Sequence, residues 1–491
     1  MHKSPESNFA ACLVERLGGN SSLIDAATNE SIHAGAIAGL IRGFAAGFLA
    51  RGLRPGDRVV ISCGVSPASA LAYLGAMYAG CVPVPVDERT LAASGEQVAA
   101  KSGAKAAWAE KPAECKWAAE RGLILIRESF PPSSEAAGPF PAAKSHLAAL
   151  MPTSGSTGTP RLVMVTHGNL MANTEAIIRS QRLGSDEKAM LIMPVSYCFG
   201  ASVLHTHLYQ GGAVVFDSRF MFPDKVLQAI NTYQCTTFAG VPTVYSILLR
   251  RSNLRSIPLP TLRRFLQAGG ALAPENIAEF RQMASGPEFF VMYGQTEATA
   301  RISCFAADGL SEKLGSVGAP LDNLRIRVAD DQGRELPLGQ TGEIQVSGPS
   351  VCAGYLDEPE ATQQKFGGGW LRTGDLGCLD EQGYLWLKGR TSEFIKIRGV
   401  RVSLAEVEAK VMAVPGVGEC AAAAVQHPEA GEALALYVVK DGPSGNGSDA
   451  LLERVRTALP PHWTCMSVKL VAKLPRTSNG KIARARLQAF A

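Results

Sequence analysis

Short apolar strands alternate with helical segments through the first three hundred residues, and this alternation constrains the fold more than any other feature. Residues 31–53 place apolar side chains at helical spacing, a Pro55-Gly56 turn follows, and residues 57–64 form an apolar strand-like run. Further strand-like runs lie at 81–87, 189–196, 211–216 and 236–242. Uninterrupted apolar strands between helices are typical of α/β layers with a largely parallel sheet. We therefore predict an α/β fold here.

The pattern changes after Gly315, where apolar and polar residues alternate between glycine-rich turns. This favours a small antiparallel sheet or a β-barrel-like subdomain. A chain of 491 residues is too long for one ordinary core. We predict a large N-terminal domain, 1–389, and a small α+β domain, 390–491. Residues 101–120 are rich in Ala and Lys and predict an exposed helix and connector.

Composition excludes several classes of function. Apolar residues make up 46% of the chain and charged residues 19%, and the net charge of +4 is spread without a basic block. Neither nucleic acid nor an anionic membrane is therefore an expected partner. No signal-peptide layout or bilayer-spanning run is recognised, and the eleven cysteines show no CxxC pair or metal-like spacing. We expect a cytoplasmic protein with reduced thiols and no structural metal.

The run "TSGSTGTP", residues 153–160, joins two apolar strand-like segments. Its glycines let backbone N–H groups converge on an anion, and its hydroxyls add donors. The alternative is a flexible surface loop, but the flanking strands, the rigid Pro160 and the cationic Arg161 favour a triphosphate cradle. The run lacks the Walker pattern GxxxxGK[ST], and no Rossmann fingerprint is found.

Five further segments accompany this loop in order: "QAGGALAP", "MYGQTEATAR", "GWLRTGDLG", "KGRTSEFIKIRGVRVSLAEVE" and "LPRTSNGKIAR". Together the six resemble the adenylate-forming superfamily of acyl-CoA synthetases, peptide-synthetase adenylation domains and luciferases. The resemblance is nearest to the acid–CoA ligases and spans Thr153 to beyond Ile482. It implies ATP, Mg²⁺ and CoA as cofactors and a small carboxylic acid as substrate.

The resemblance also assigns roles around the nucleotide. Tyr293 stacks on adenine, Thr296 contacts the α-phosphate, and Glu297 holds Mg²⁺, which prefers carboxylate and phosphate oxygens. Asp375 accepts the ribose hydroxyls, and Arg390 adds a donor there. The residues implied to hold the β- and γ-phosphates are Thr153, Ser154, Gly155, Ser156, Thr157 and Gly158, with Arg161 where the family usually has Lys. The residues implied to line the other side of adenine are Gly269, Gly270 and Ala271.

Residues of the C-terminal segment are implied to act in two half-reactions. Lys481 bridges the substrate carboxylate and the α-phosphate, where its charge stabilises the transition state. The C-terminal domain then swings about a hinge at Ser392, where relatives more often have Asp or Lys. After the swing, Lys396 is a candidate for the thioester step, and Gly399 leaves room for a thiol.

We expect the acid pocket to be formed by the segments that contain Tyr197, Val241, Gly269 and Tyr293. Amino-acid-activating relatives place an Asp near the position of Phe199, and its absence disfavours an α-amino acid because a buried ammonium would lack a carboxylate. An apolar or aryl wall is predicted from Tyr197, Phe199, Val241 and Tyr245. His205 and His207 fall on a predicted helix and are expected to be packed side chains.

These residues predict ATP-dependent activation of a fatty or aryl acid to acyl-AMP, with release of pyrophosphate, followed by transfer to CoA. Transfer to the phosphopantetheine of an acyl carrier protein, or to an amine, stays open. A catalytically weak nucleotide-binding regulator is disfavoured by Glu297, Asp375 and Lys481, and a purely structural module would make six motifs accidental. The sequence leaves the particular acid, the oligomeric state and the pathway open.

Overall fold

The computed structural model describes residues 7–111, 115–127, 130–132, 138–153, 160–284, 286–307, 311–390, 394–397, 400–427, 431–441, 448–460, 463, 465–476, 482–484 and 486–487. The chain forms two compact units. The first comprises residues 1–326 and 346–371, and the second comprises residues 327–345 and 372–491.

The strands are β1 Ser22–Asp25, β2 Glu30–His33, β3 Arg58–Ser62, β4 Val82–Val86, β5 Ala106–Trp108, β6 Ile124–Ile126, β7 Leu147–Thr153, β8 Arg161–Thr166, β9 Lys188–Leu191, β10 Ala213–Phe216, β11 Thr237–Gly240, β12 Arg264–Gln267, β13 Glu288–Tyr293, β14 Ser303–Ala306, β15 Ala319–Pro320, β16 Arg325–Ala329, β17 Gly342–Ser347, β18 Leu371–Leu379, β19 Leu385–Arg390, β20 Phe394–Ile397, β21 Val400–Ser403, β22 Val417–His427, β23 Gly431–Lys440 and β24 Cys465–Leu470. The helices are α1 Phe9–Arg16, α2 Ala34–Ala50, α3 Pro67–Tyr78, α4 Glu88–Ser102, α5 Lys116–Glu120, α6 His167–Gln181, α7 Cys198–Tyr209, α8 Pro223–Thr232, α9 Pro242–Arg251, α10 Pro274–Met283, α11 Pro359–Phe366, α12 Leu404–Met412 and α13 Ser448–Thr457.

A nine-stranded sheet forms the centre of the first unit, in the order β15-β14-β13-β12-β11-β9-β10-β1-β2. Its strands β1, β10, β9, β11, β12 and β13 run parallel. Strands β10 and β11 are buried along their whole length, as the uninterrupted apolar runs predict. The carboxyl ends of the parallel strands therefore meet at one edge of the sheet, and the loops after β9, β11, β12 and β13 share that edge.

A second, four-stranded parallel sheet has the order β4-β3-β5-β6. The expectation of an exposed helix and connector over 101–120 is wrong in part, because this stretch contains the fully buried strand β5. Strand β5 pairs with β3 on one side and β6 on the other. Its residues Ala106 and Ala107 give a weak apolar signal, yet their small side chains fit a closely packed interior.

The glycine- and hydroxyl-rich run connects an antiparallel hairpin of β7 and β8. Thr153 and Arg161 are paired partners at the end of the hairpin next to this run, so the two strand-like segments predicted on either side of the run are confirmed. Residues 154–159 lie outside the described residues.

The second unit contains two sheets. Strands β16, β17, β18 and β19 form a four-stranded sheet, which confirms the change of pattern predicted after Gly315. Strands β20 to β24 form the other sheet, with β22 and β23 paired antiparallel along most of their length. Helices α12 and α13 supply Val407 and Leu451 to its apolar core. The predicted boundary at 389/390 stays a prediction, because the hinge residue Ser392 lies outside the described residues.

Candidate active site

Four loops bring predicted site residues to the carboxyl edge of the nine-stranded sheet. Tyr197 follows β9, Val241 directly follows β11, Gly269 follows β12, and Tyr293 ends β13. Because these strands are parallel neighbours, residues far apart in sequence meet at one edge. In open α/β sheets this edge is where ligands bind.

Gly269 shows how closely these loops approach one another. Its φ is +89°, and a Cβ atom there would lie 2.4 Å from the hydroxyl oxygen of Tyr197 and 3.2 Å from Cγ1 of Val241. Only glycine adopts this conformation readily and leaves that space. The structure therefore brings together a predicted adenine-side residue and two predicted acid-pocket residues. Burial raises the pKa of Tyr197 above its usual value, so its hydroxyl is neutral and acts as a hydrogen-bond donor or acceptor.

The turn after β13 carries Thr296 and Glu297 on a short 3₁₀ helix, Thr296–Ala298. Tyr293 is 8% exposed, and the Thr296 hydroxyl lies 3.5 Å from Sγ of Cys198 at the start of α7. The predicted α-phosphate ligand is therefore next to the helix that carries the predicted acid pocket. Such a position suits a residue that must act where a carboxylate meets an α-phosphate.

Tyr355 organises the charged groups beside this turn, and sequence reasoning missed it. Its hydroxyl donates to Oε1 of Glu297 at 2.8 Å, and its ring lies 5.2 Å from the Arg161 guanidinium carbon. Arg161 also pairs with Glu358 at 3.1 Å, and Lys101 pairs with the other oxygen of Glu358 at 2.6 Å. Tyr355 thus connects the predicted metal ligand with the predicted phosphate cation.

The chemistry of Glu297 fits a magnesium ion. Its carboxylate is held at one oxygen by Tyr355 and is only partly buried. No cluster of three or more metal-ligating side chains occurs among the described residues. The described residues therefore do not form a complete set of protein ligands for a metal ion. Magnesium that binds together with substrate phosphates needs only one or two carboxylates from the protein.

In the second unit, the predicted ribose residues are direct partners. Asp375 on β18 and Arg390 on β19 face each other across the strand pair, and Nε of Arg390 donates to Oδ1 of Asp375 at 2.9 Å. Asp375 is 5% exposed, and its backbone N–H donates to the hydroxyl of Thr373. The pair presents a fixed carboxylate beside a cation, which suits the vicinal hydroxyls of a ribose.

Several predicted residues cannot be placed. Ser154, Gly155, Ser156, Thr157, Gly158, Ser392, Gly399 and Lys481 lie outside the described residues. Lys396 is on β20, where its backbone pairs with Arg401 of β21. The roles assigned to these residues stay predictions.

The predicted acid pocket receives uneven support. Phe199 begins the first turn of α7 and contacts Tyr197 edge to face, with ring centroids 6.2 Å apart. Tyr245, in contrast, is fully buried in the core, and its hydroxyl donates to the carbonyl of Leu266. The phenylalanines around Tyr245 are Phe238, Phe265, Phe280 and Phe289. Its surroundings therefore give no support to a place on the pocket wall.

His205 and His207 lie on α7, as predicted, and both are buried. His205 stacks on Tyr73 and contacts Phe9 edge to face, and burial lowers its pKa to about 3. His205, Tyr73 and Thr296 line one small recess. Burial also lowers the pKa of His207 to about 4, so both rings are neutral at pH 7.

Arg301 is the second residue that sequence reasoning missed. It is 2% exposed, and its guanidinium carbon lies 5.0 Å from the ring centroid of Phe199. Within the described part of the chain, its Nε atom makes no hydrogen bond and no ion pair of its guanidinium is found. The only signal in the sequence is its place at the end of "MYGQTEATAR".

Comparison with known proteins identifies the class. A family model described as AMP-binding enzyme matches residues 28–356, and the model of the AMP-binding enzyme C-terminal domain matches residues 406–481. The chain therefore belongs to the AMP-binding, adenylate-forming enzymes, which confirms the predicted family.

Individual relatives agree with this class. Feruloyl-CoA synthase of an Amycolatopsis species is 34% identical over 449 residues, which cover 89% of each chain. Sulfoacetate–CoA ligase of Cupriavidus necator is 32% identical over 90% of this chain and 89% of that protein. The crystal structure of ATP-bound MatB from Rhodopseudomonas palustris matches with a TM-score of 0.88 and 27% identity over 99% of both chains. The predicted α/β fold class is confirmed.

Proposed function

We propose that this chain is an ATP-dependent acid–CoA ligase that forms an acyl-adenylate and then an acyl-CoA thioester. The observation that carries the proposal is the contact of Thr296, which shares its short 3₁₀ helix with Glu297, with Cys198 at the start of α7. This contact supports a single site for the groups that are predicted to bind the phosphates and those predicted to bind the acid. The relatives named for acid–CoA ligation support the same reaction class.

In the first half-reaction a substrate carboxylate oxygen attacks the α-phosphorus of ATP, and pyrophosphate leaves. Both reactants are anions, so positioning and positive charge dominate the catalysis. Thr296 contacts the α-phosphate, Tyr293 stacks on adenine, and Lys481 neutralises charge between the two reacting groups. Glu297, whose carboxylate is oriented by Tyr355, would hold a magnesium ion, and the ion would supply positive charge that neutralises the phosphates.

In the second half-reaction the thiol sulfur of CoA attacks the acyl carbonyl carbon, the thiol proton is lost, and AMP leaves. The C-terminal domain, 390–491, turns about Ser392 so that the segment of Lys396 and Gly399 replaces that of Lys481. A hinge needs only to absorb a backbone change, so a Ser at this position is compatible with the motion.

The acid that suits the described wall has an apolar or aromatic body. Tyr197, Phe199 and Val241 supply two rings and a branched side chain beside Gly269. The feruloyl-CoA synthase relative supports an aryl acid. The described wall offers no carboxylate near Phe199 for an α-ammonium group, and an unpaired buried ammonium is costly, which disfavours amino acids.

Mass spectrometry of the products tests this proposal directly. The purified chain is incubated with MgATP and a panel of aryl and aliphatic acids, each with and without CoA. Acyl-CoA from a member of the panel is expected, together with AMP and pyrophosphate. If acyl-AMP accumulates to the same level with and without CoA, the acceptor is a carrier protein or an amine and not CoA. If no acid of the panel gives either product, the result would contradict the ligase function and favour a catalytically weak nucleotide-binding regulator.

The remaining expectations concern where the protein works. Among the described residues, no helix combines the length and apolarity that crossing a bilayer requires. A cytoplasmic location is proposed because ATP and CoA are available there and because the cysteines are arranged as thiols.

A further inference from the structure

Arg301 is a charged side chain buried at the acid-binding end of the site. It is 2% exposed, and its guanidinium lies over the ring of Phe199, one of the predicted pocket residues. Its electrostatic neighbours are Cys304, Cys198 and Tyr197, and the last two lie at the start of α7. A molecule bound beside Tyr197 and Phe199 would therefore meet a guanidinium.

The groups around Arg301 do not neutralise it. Burial raises the pKa of Cys304 to about 11 and the pKa of Tyr197 above its usual value, so both are neutral at pH 7. Within the described residues, Nε of Arg301 lacks a hydrogen-bond acceptor. Its contact with Phe199 compensates a part of the burial, because a cation over an aromatic ring is stabilised. A buried charge without an anionic partner is nevertheless unfavourable.

The backbone holds this unfavourable position firmly. The side chain of Asn173 on α6 binds both sides of Arg301, with Oδ1 accepting from its N–H at 3.2 Å and Nδ2 donating to its carbonyl at 2.9 Å. The preceding residues Thr299 and Ala300 have φ of +64° and +131°, which is rare for residues with a side chain. Strain of this kind is retained where it positions a functional group.

If Arg301 served only to pack against Phe199, an apolar side chain of similar length would fill the space without the cost of burying a charge. An anionic ligand removes that cost and uses the planar donor fork of a guanidinium, which matches carboxylate and sulfonate oxygens. The carboxylate that reacts with ATP is assigned to Lys481, next to the α-phosphate that Thr296 is assigned to contact. A separate anion is therefore needed to pair with Arg301.

We propose that the acid substrate carries a second anionic group, a carboxylate or a sulfonate, which binds Arg301 beside Phe199. This inference rests on the proposed ligase function and narrows its substrate class. It also changes the predicted pocket, because one side of an otherwise apolar and aromatic wall is cationic.

Pairs of acids with the same skeleton test the proposal. Benzoate is compared with isophthalate and with 3-sulfobenzoate, cinnamate is compared with para-carboxycinnamate, and hexanoate is compared with adipate. We expect at least one acid with two anionic groups to exceed its partner in kcat/KM for acyl-CoA formation by roughly tenfold to a hundredfold, the effect of a charge-assisted hydrogen-bond pair. Equal or higher kcat/KM for the single-anion acid in every pair would overturn the inference and leave the ligase function intact.

Variants of Arg301 locate the effect. Arg301→Met should lower kcat/KM for the acid with two anionic groups more than kcat/KM for its single-anion partner, so that the preference is lost, and Arg301→Lys should restore a part of the preference. Arg182→Met is the matched control, because Arg182 is a largely exposed arginine that pairs with Glu288. An unchanged preference in Arg301→Met would exclude Arg301 as its source.

Two measurements keep the test independent of folding and of turnover. The melting temperature of Arg301→Met should equal or exceed that of the wild type, because the variant removes a buried charge that has no ion pair among the described residues. If this variant does not fold, the substrate preference of the wild type alone tests the inference. Calorimetric binding of the same acid pairs needs no turnover. Tighter binding of the second-anion acid by the wild type supports the inference even if acyl-CoA is not formed, and equal binding contradicts it.

Discussion

Tyr355 and Glu297 form the residue-scale contact with the clearest consequence. They are neighbours in space although 58 positions separate them in the chain, and the tyrosine hydroxyl fixes one carboxylate oxygen. Tyr355→Phe should therefore loosen Glu297 and raise the Mg²⁺ concentration needed for half-maximal acyl-AMP formation roughly tenfold, the effect of one charge-assisted hydrogen bond. Pyrophosphate exchange against Mg²⁺ measures this. Tyr233→Phe is the control, because Tyr233 is a half-buried tyrosine whose hydroxyl donates to Asn29. An unchanged Mg²⁺ dependence would contradict the positioning role.

Asp375 allows a second test at this scale. Asp375→Ala removes the buried carboxylate that Arg390 contacts, and we expect ATP affinity to fall roughly tenfold or more, since a hydrogen-bond acceptor for ribose is lost. Asp375→Asn keeps one oxygen in place and should lose less. Equilibrium binding of a non-hydrolysable ATP analogue separates the two variants. Wild-type affinity in Asp375→Ala would show that the ribose contact is misassigned.

Lys481 is predicted to act on the reaction and not on nucleotide binding. Lys481→Ala should lower acyl-AMP formation by roughly a hundredfold or more, the effect of removing one group that stabilises developing charge. ATP binding should change little. Lys473→Ala is a suitable control because Lys473 is an exposed lysine of the same segment. Near-normal adenylation in Lys481→Ala would remove this lysine from the mechanism.

At the scale of elements, the turn after β13 depends on Gly294. A Cβ atom at this position would lie 1.7 Å from the carbonyl oxygen of Ala300, which is a severe overlap with backbone. Gly294→Ala should shift the turn that carries Thr296 and lower both the melting temperature and the rate of acyl-AMP formation. Gly35→Ala, where nothing lies within 4 Å of the new Cβ, is the control. Wild-type stability and rate in Gly294→Ala would show that the turn tolerates displacement.

The sequence predicts those features of the fold and the site that depend on neighbouring residues in the chain, and it does not predict those that depend on contacts between distant residues. Strands β3, β4, β10 and β11 are predictable because their apolar runs are local and uninterrupted. Strand β5 is not, because alanine burial depends on its neighbours. Tyr355 and Arg301 escape prediction for the same reason: the first acts through a distant turn, and the second is directed inward by a backbone conformation with positive φ. The placement of Tyr245 in the core shows that aromatic character alone does not distinguish a pocket wall from a core.

At the scale of the whole molecule, buried histidines make stability depend on pH. Burial lowers the pKa of His205 to about 3, and the pKa values of His207 and His167 to about 4, from an ordinary value near 6.5. Between pH 6.5 and 4 the unfolded chain therefore binds more protons than the folded chain, so stability is present above pH 6.5 and is lost as the pH falls.

Each of these histidines should cost about 2 kcal/mol of unfolding free energy when the pH falls from 7.5 to 5. His205→Phe keeps a ring against Tyr73 and should show a smaller loss over this range than the wild type. Denaturant unfolding at both pH values measures it. His33→Gln, at an exposed histidine, should retain the full wild-type loss. An equal loss in His205→Phe would exclude this ring as a contributor.

The carboxyl edge of the sheet also has an evolutionary consequence. Tyr197 and Val241, which are proposed to bind the acid, and Thr296 and Glu297, which are proposed to act at the phosphates, come from different loops on strands that are fixed by their own core. Mutations in one loop can accumulate without disturbing the others. We therefore expect that a lineage built on this fold can change the acid it activates while the adenylation chemistry is inherited unchanged. If the proposal for Arg301 holds, one substitution at this position is enough for such a change.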